Sequence, residues 1–379
     1  MKGGEMNSNR LFVFMFGILC VSTLSLTGGQ EDIKGNIEEL FFVPSPTGYE
    51  HQLAEKVIQM LPDEQKVSQD LLGSVFVSKE GDLPLWSVMC GLDERGYIVG
   101  GVDPQGYITL DRVVPAPHAM FDSFFSGHPV KVWTEQGPVQ GVLAIPSLHI
   151  FQWGEREHFH EYFSLEKMKL DIGASSRQEV LERGIQNCSP VTLGQKMSSL
   201  SKHRIAGYSM GAKACAALLL TTASHVLAEE SQGKLTFGWL AQTLMVSRGS
   251  RPRACVGGVR AQKRLDSSQT IIVDTVPIQS ENEEDISLGR GPVLLDAEKE
   301  KTKGFRMIQE KARQKGILVQ TTEKADSLLW NAFSGKQDNL IGLFIPVRFA
   351  ASPSETVDIK DLQALNQLLE SVLTERRNP

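Results

Sequence analysis

The sequence has little cysteine, little histidine and no excess of basic charge. Its five cysteines are scattered through 379 residues with no C-x-x-C pair, which excludes a zinc knuckle. No bridge is assigned among Cys90, Cys188, Cys215 and Cys255. A formal net charge of -6 leaves no basic footprint for nucleic acid. No segment of roughly 20–50 residues repeats, and there is no low-complexity tract. Long apolar runs are also scarce. The exception is Leu11 to Leu26, which follows a weakly basic start (Lys2, Arg10) and precedes small residues. Residues 1–29 therefore read as a secretory signal peptide, with an uncleaved membrane anchor as the other reading. The expected location is periplasmic or extracellular.

What is present is ordinary globular sequence, 41% hydrophobic and 22% charged, and long enough for more than one domain. "IKGNIEELFF" and "YEHQLAEKVIQML" predict helices. "GYIVGGVDPQGYITLDRV" and "HPVKVWTEQGPVQGVLAIPS" predict hairpins turning at "DPQG" and "EQGP". After Asp171 the texture changes to alternating strands and helices. "SSRQEVLERG" carries a capping box, Ser176 with Glu179. "KLTFGWLA", "QTIIVDT", "GILVQ" and "NLIGLFIPV" read as strands, and "DIKDLQALNQLLESVLTER" as a closing amphipathic helix. Alternation of this kind gives an α/β sheet with covered faces. The expected organisation is one α/β domain from residues 30–94 and 169–379, interrupted by a β-domain over residues 95–168.

"GYSMG" (207–211) matches G-x-S-x-G, the pattern of a strained turn that exposes a nucleophilic serine. On that fold the acid and the histidine follow the serine in the chain. Of the eight histidines only His225 follows Ser209, and it falls inside the helix that Ser209 would begin. A triad does not assemble. "EHFHEYF" sets His158 and His160 on one face of a strand, and with His149 these could form a surface metal site or simply be solvated.

Several stretches occur together in one order: "PSPTGYE" (44–50), "LDERGYIVGGVDPQGYITL" (92–110), "LDIGASSRQEVLERGIQNCSPVTL" (170–193), "IIVDT" (271–275), "LGRGP" (288–292) and "IPVRFAASPSETVDIKDLQALNQLL" (345–369). Together they resemble the glutamyl-aminopeptidase and tetrahedral-aminopeptidase family of dinuclear metallopeptidases. The resemblance implies a three-layer α/β/α domain interrupted by a β-barrel-like insert, two zinc or cobalt ions, and dimers that assemble further through the insert.

At the site positions the chain departs from that family. Gly91 stands where the resemblance puts a metal-binding histidine, with Asp93 kept two residues on. Gly207 and Tyr208 stand at an Asp-Asp pair, the first of which bridges the metals. Thr243 and Leu244 replace paired glutamates, the general base and a ligand. Ala351 replaces the last histidine. Asp274 is the one retained ligand position. Gly, Leu and Ala donate no side-chain atoms to a metal, and a threonine hydroxyl takes up no proton near neutral pH.

The sequence therefore predicts an exported, degenerate family member: a structural or binding subunit with no catalytic residues and no cofactor. It would pair with itself or with an active paralogue and bind peptides but no nucleic acid. The alternative is an active hydrolase with a relocated metal or a serine-based site. The altered positions are expected to converge beside Asp274, with Leu244 and Tyr208 filling the vacated volume.

Overall fold

The computed structural model describes residues 24–63, 65–81, 83–145, 164–229, 233–250, 253–265, 269–278, 286–296, 302–334 and 340–374. Most of the apolar run at 11–26, the acidic run 281–285 and His149, His158 and His160 lie outside the described residues. The chain opens with α1 (Leu24–Phe41) and α2 (His51–Met60), then β1 (Lys66–Gln69), β2 (Val75–Lys79) and β3 (Leu83–Gly91). Next come β4 (Tyr97–Val102), β5 (Ile108–Arg112), β6 (Pro129–Thr134), β7 (Gly137–Ala144), β8 (Lys169–Asp171), α3 (Arg177–Glu182) and β9 (Pro190–Leu193). The remainder holds β10 (Ser198–Ser199), β11 (Arg204–Ala206), α4 (Met210–Ala228), β12 (Gly233–Leu240), α5 (Val256–Arg264) and β13 (Gln269–Pro277). It closes with β14 (Val293–Leu295), α6 (Lys303–Lys315), β15 (Gln320–Thr322), α7 (Leu328–Phe333), β16 (Leu340–Val347), β17 (Thr356–Asp358) and α8 (Ile359–Leu373).

An eight-stranded sheet runs in the order β1-β2-β12-β3-β13-β16-β14-β15 among the described residues. Its centre, β12-β3-β13-β16, is parallel. Parallel strands covered on both faces need unbroken apolar sequence, and all eight residues of β16 are buried. Alternate residues serve opposite faces. Val88 and Ile271 join the core under α1, α2, α4 and α8, while Met89 and Ile272 pack against α5 and α7. The result is the expected three-layer α/β/α domain. Helix α4 is long and apolar enough to cross a membrane, but its side chains are mostly buried in this core.

Six strands close into a barrel, β4-β5-β8-β7-β6-β9. Both expected hairpins are there, β4–β5 and β6–β7. The expected end of this unit at residue 168 needs correction. β8 pairs with β5 and β7, and β9 with β4 and β6, so the barrel runs from Tyr97 to Leu193. The sequence gives no sign of this, because these two closing strands are only three and four residues long. Between them lies α3, started by the predicted cap: Ser176 Oγ accepts from Glu179 N at 3.3 Å. A second difference is at "GILVQ", where the strand begins only at Gln320. Gly316 sits at φ 65 as the left-handed end of α6, and Ile317 N–H returns to Ala312 O. The first residues of that stretch thus finish the helix.

Candidate functional site

The parallel strands β3, β12, β13 and β16 bring their carboxyl ends to one side of the sheet, the usual ligand position in open α/β folds. A cavity of about 420 Å³ lies there, lined among others by Gly91, Asp93, Ser209, Thr243, Asp274 and Ala351. Tyr208 and Leu244 also border it. The positions singled out in the sequence therefore gather beside Asp274, with the exception of Gly207.

Asp93, just past β3, is 3% exposed and accepts four hydrogen bonds, three of them from the loop after β12. Oδ1 accepts from Thr243 N at 2.9 Å and from the Thr243 hydroxyl. Oδ2 accepts from Leu244 N and Thr47 Oγ1, both at 2.9 Å. Burial pushes this carboxyl upward, and the four bonds oppose the rise. Beside it, Glu50 Oε1 accepts from Gly48 N at 2.9 Å and Gln242 N at 2.8 Å. Burial, reinforced by the neighbouring Asp93 carboxylate, pushes Glu50 up to about 7. Two buried acids thus fasten the 242–244 loop to the start of α2 and the end of β3.

The other acids are similarly engaged. Asp274, half-buried on β13, accepts from Thr275 N at 2.8 Å and Ser327 Oγ at 2.6 Å. Glu355 accepts from Gly211 N at 2.6 Å and Ala351 N at 3.0 Å. Burial raises both. Glu94 is paired with Lys213, whose Nζ lies 3.7 Å from Oε2 and donates to Val43 O and Ser45 Oγ. Burial lowers the Lys213 pKa, against the pull of Glu94. That lysine is thus held by Glu94, Val43 and Ser45 behind the cavity wall.

Side chains have moved into the spaces beside the two glycines. A Cβ at Gly91 would stand 2.5 Å from Thr243 Oγ1. One at Gly207 would stand 2.5 Å from Phe41 Cζ and 3.1 Å from Met210 Cε. The expected fillers, Leu244 and Tyr208, are therefore not the residues that meet the glycines. Tyr208 belongs to the barrel core, edge-on to Phe125 with 5.3 Å between ring centroids, and its hydroxyl donates to Arg95 O. Phe41 carried no sequence signal, because it ends a helix far away in the chain. Lys213 carried one, as the lone lysine in the apolar helix α4.

The backbone around the cavity is contorted. Five non-glycine residues have left-handed φ among the described residues: Cys188, Ser209, Gln242, Phe349 and Ala351. All but Cys188 sit at or next to this cavity. Such conformations cost ~1–3 kcal/mol each and cluster at functional sites. Ser209 (φ 52, ψ 30) caps α4 after β11, so the G-x-S-x-G segment does form a strand–turn–helix elbow. Among the described residues no histidine lines the cavity, and His225, the one histidine after Ser209 in the chain, is bound to Glu370 at 2.6 Å.

Residues 73–368 match the M42 glutamyl aminopeptidase family. The chain belongs to that family. Lysyl aminopeptidase of Pyrococcus furiosus is 24% identical over 344 residues, covering 88% of this chain and 94% of the relative. The fold is shared with the TET1 peptidase of Pyrococcus horikoshii, at TM-score 0.79 and 21% identity over 91% of this chain and all of that one. The aminopeptidase APDkam598 of Desulfurococcus kamchatkensis also has TM-score 0.79, at 17% identity over 92% and 96% of the two chains. Membership in M42 corrects the expectation of no cofactor, because this family's enzymes work with a pair of metal ions. A metal pair is thus the group to set against these residues. Its donors would have to come from Asp93, which accepts four hydrogen bonds, and from Asp274 and Glu355, which accept two each. Among the described residues no three His, Cys, Asp or Glu form a group able to hold an ion. The donor set present does not match that of a dinuclear centre.

Proposed function

We propose that this M42 member is non-catalytic and acts as a binding or structural subunit. The observation that carries this reading is Thr243. The resemblance puts the general base at this position, and here a hydroxyl donates to Asp93 and fills the space beside Gly91. An alcohol does not take a proton from water near neutral pH. Left-handed loop residues border an open cavity of about 420 Å³, and that cleft has room to hold a peptide without cutting it.

Assembly with copies of itself or with an active paralogue belongs to the same proposal. It rests on the barrel, and on TET1 of Pyrococcus horikoshii, which forms a tetrahedron or an octahedral shell. Export is proposed from the apolar run at 11–26 alone, and N-terminal sequencing of the secreted protein tests it. Asp274 is proposed as the surviving ligand position, now held by Ser327 and Thr275 N–H.

The competing reading is an active aminopeptidase, favoured by family membership. Assay of the purified chain on chromogenic amino-acid amides, with and without added zinc or cobalt, separates the two. The proposal expects no turnover. Chelator-sensitive turnover that is lost in Asp274→Ala overturns it.

A further inference from the structure

A second cavity, also of about 420 Å³, lies away from the cleft, where the α/β domain meets the barrel. One wall is Tyr49 and Gln52, at the start of α2. The facing wall is Trp133 and Gln136 from the β6–β7 hairpin, with Asn187 and Cys188 from the loop before β9. The walls are tied together: Tyr49 Oη donates to Cys188 O at 2.9 Å. Trp133 is held by its own bond, Nε1 to Thr192 Oγ1 at 2.9 Å. Cys188 takes φ 67 to turn the loop here.

The lining narrows the ligand chemistry. It contains no lysine or arginine, which disfavours an anion. Glu135 and His51 are the only carboxylate and imidazole, too few for a metal. The side-chain amides of Gln52, Gln136 and Asn187 line it with no protein partner among the described residues, the first half-buried and the other two exposed, so a polar ligand can pair with them in place of water. Each primary amide sets a donor and an acceptor side by side, the pattern that suits a hydroxyl, itself both donor and acceptor. With its N–H spent on Thr192 and Lys131 Nζ lying over the ring at 5.8 Å from its centroid, the indole of Trp133 offers its remaining ring surface. A ligand that brings C–H surface to an aromatic ring and hydroxyls to amides is a sugar, and the volume falls in the ~300–1,000 Å³ range of small-molecule sites.

We propose that this junction cavity binds a neutral saccharide of one or two rings. The proposal is independent of whether the cleft is catalytic. The test is titration of the purified full chain with glucose, N-acetylglucosamine, maltose and cellobiose, read by saturation-transfer NMR and calorimetry. Saturable binding of at least one sugar is expected, weakened about tenfold or more by Gln136→Ala and by Asn187→Ala. Both residues are exposed, so truncation leaves the fold intact. Trp133→Leu should weaken binding too, while Thr243→Ala in the other cavity leaves it unchanged. The proposal is overturned if none of the four sugars saturates, if binding survives undiminished in both amide variants, or if Thr243→Ala abolishes it.

Discussion

Thr243 Oγ1 occupies the position that a side chain on Gly91 would need: a Cβ there would lie 2.5 Å away. The hydroxyl is not free to swing aside, since it donates to the buried carboxylate of Asp93. A missing side chain on β3 and a shortened one on the next loop therefore fit each other.

Gly91→Ala tests that fit. Overpacking a buried site costs ~1–3 kcal/mol, or a few degrees of melting temperature at this chain length. In a Thr243→Ala background the clash atom is gone, so the same substitution should cost less. Thermal melts of the two singles and the double give the coupling. Strict additivity contradicts the fit.

Gly207→Asp should be harsher. The added Cβ meets the ring of Phe41, 1% exposed in the main core, and a packed ring cannot rotate out of the way. We expect a larger melting-temperature loss than for Gly91→Ala, partly relieved by Phe41→Leu. A soluble single variant with unchanged melting temperature contradicts this packing.

The Glu50 carboxyl sets a pH dependence. Its ordinary value is 4.5 and its folded value about 7. Below the ordinary value both states hold the proton. Between the two, only the folded state does, so its contribution to stability declines as pH rises through about 7. Gln keeps an acceptor for Gly48 and Gln242 N–H without the charge. Glu50→Gln should therefore raise the melting temperature at pH 8 and change it little at pH 5. Asp361 is also pushed up to about 7 by burial, but both its oxygens are bonded, to Gly289 and Gly291 N–H. Asp361→Asn should destabilise at either pH, because one N–H loses its acceptor.

Much of the fold was legible because the central strands are mostly apolar, β16 without interruption, and the barrel hairpins carry Pro-Gly turn signals. The site was legible through short segments such as "IIVDT" and "SPSE". What stayed hidden depends on contacts between distant parts of the chain. Phe41 against Gly207 joins the end of α1 to the turn before α4, with no local pattern. β8 and β9 are too short to show a period. The acids that hold the 242–244 loop, Glu50 and Asp93, become partners only when α2 and β3 are brought side by side.

Lys213 gives the clearest stability test of the cleft floor. It and Glu94 are 1% and 2% exposed, and removing one partner of a buried pair typically costs ~3–5 kcal/mol. Lys213→Met should destabilise by that order, and Lys213→Met with Glu94→Gln by clearly less. Urea denaturation of the two variants measures the difference, and equal losses contradict the pairing.

Turnover bears most directly on the reading of the cleft as a non-catalytic binding site. The purified chain would be incubated with zinc or cobalt and assayed on leucine, lysine and glutamate chromogenic amides, beside an active M42 enzyme. The account predicts release no faster than in buffer, with the relative active under the same conditions. Chelator-sensitive release by this chain, abolished by Asp274→Ala, contradicts it.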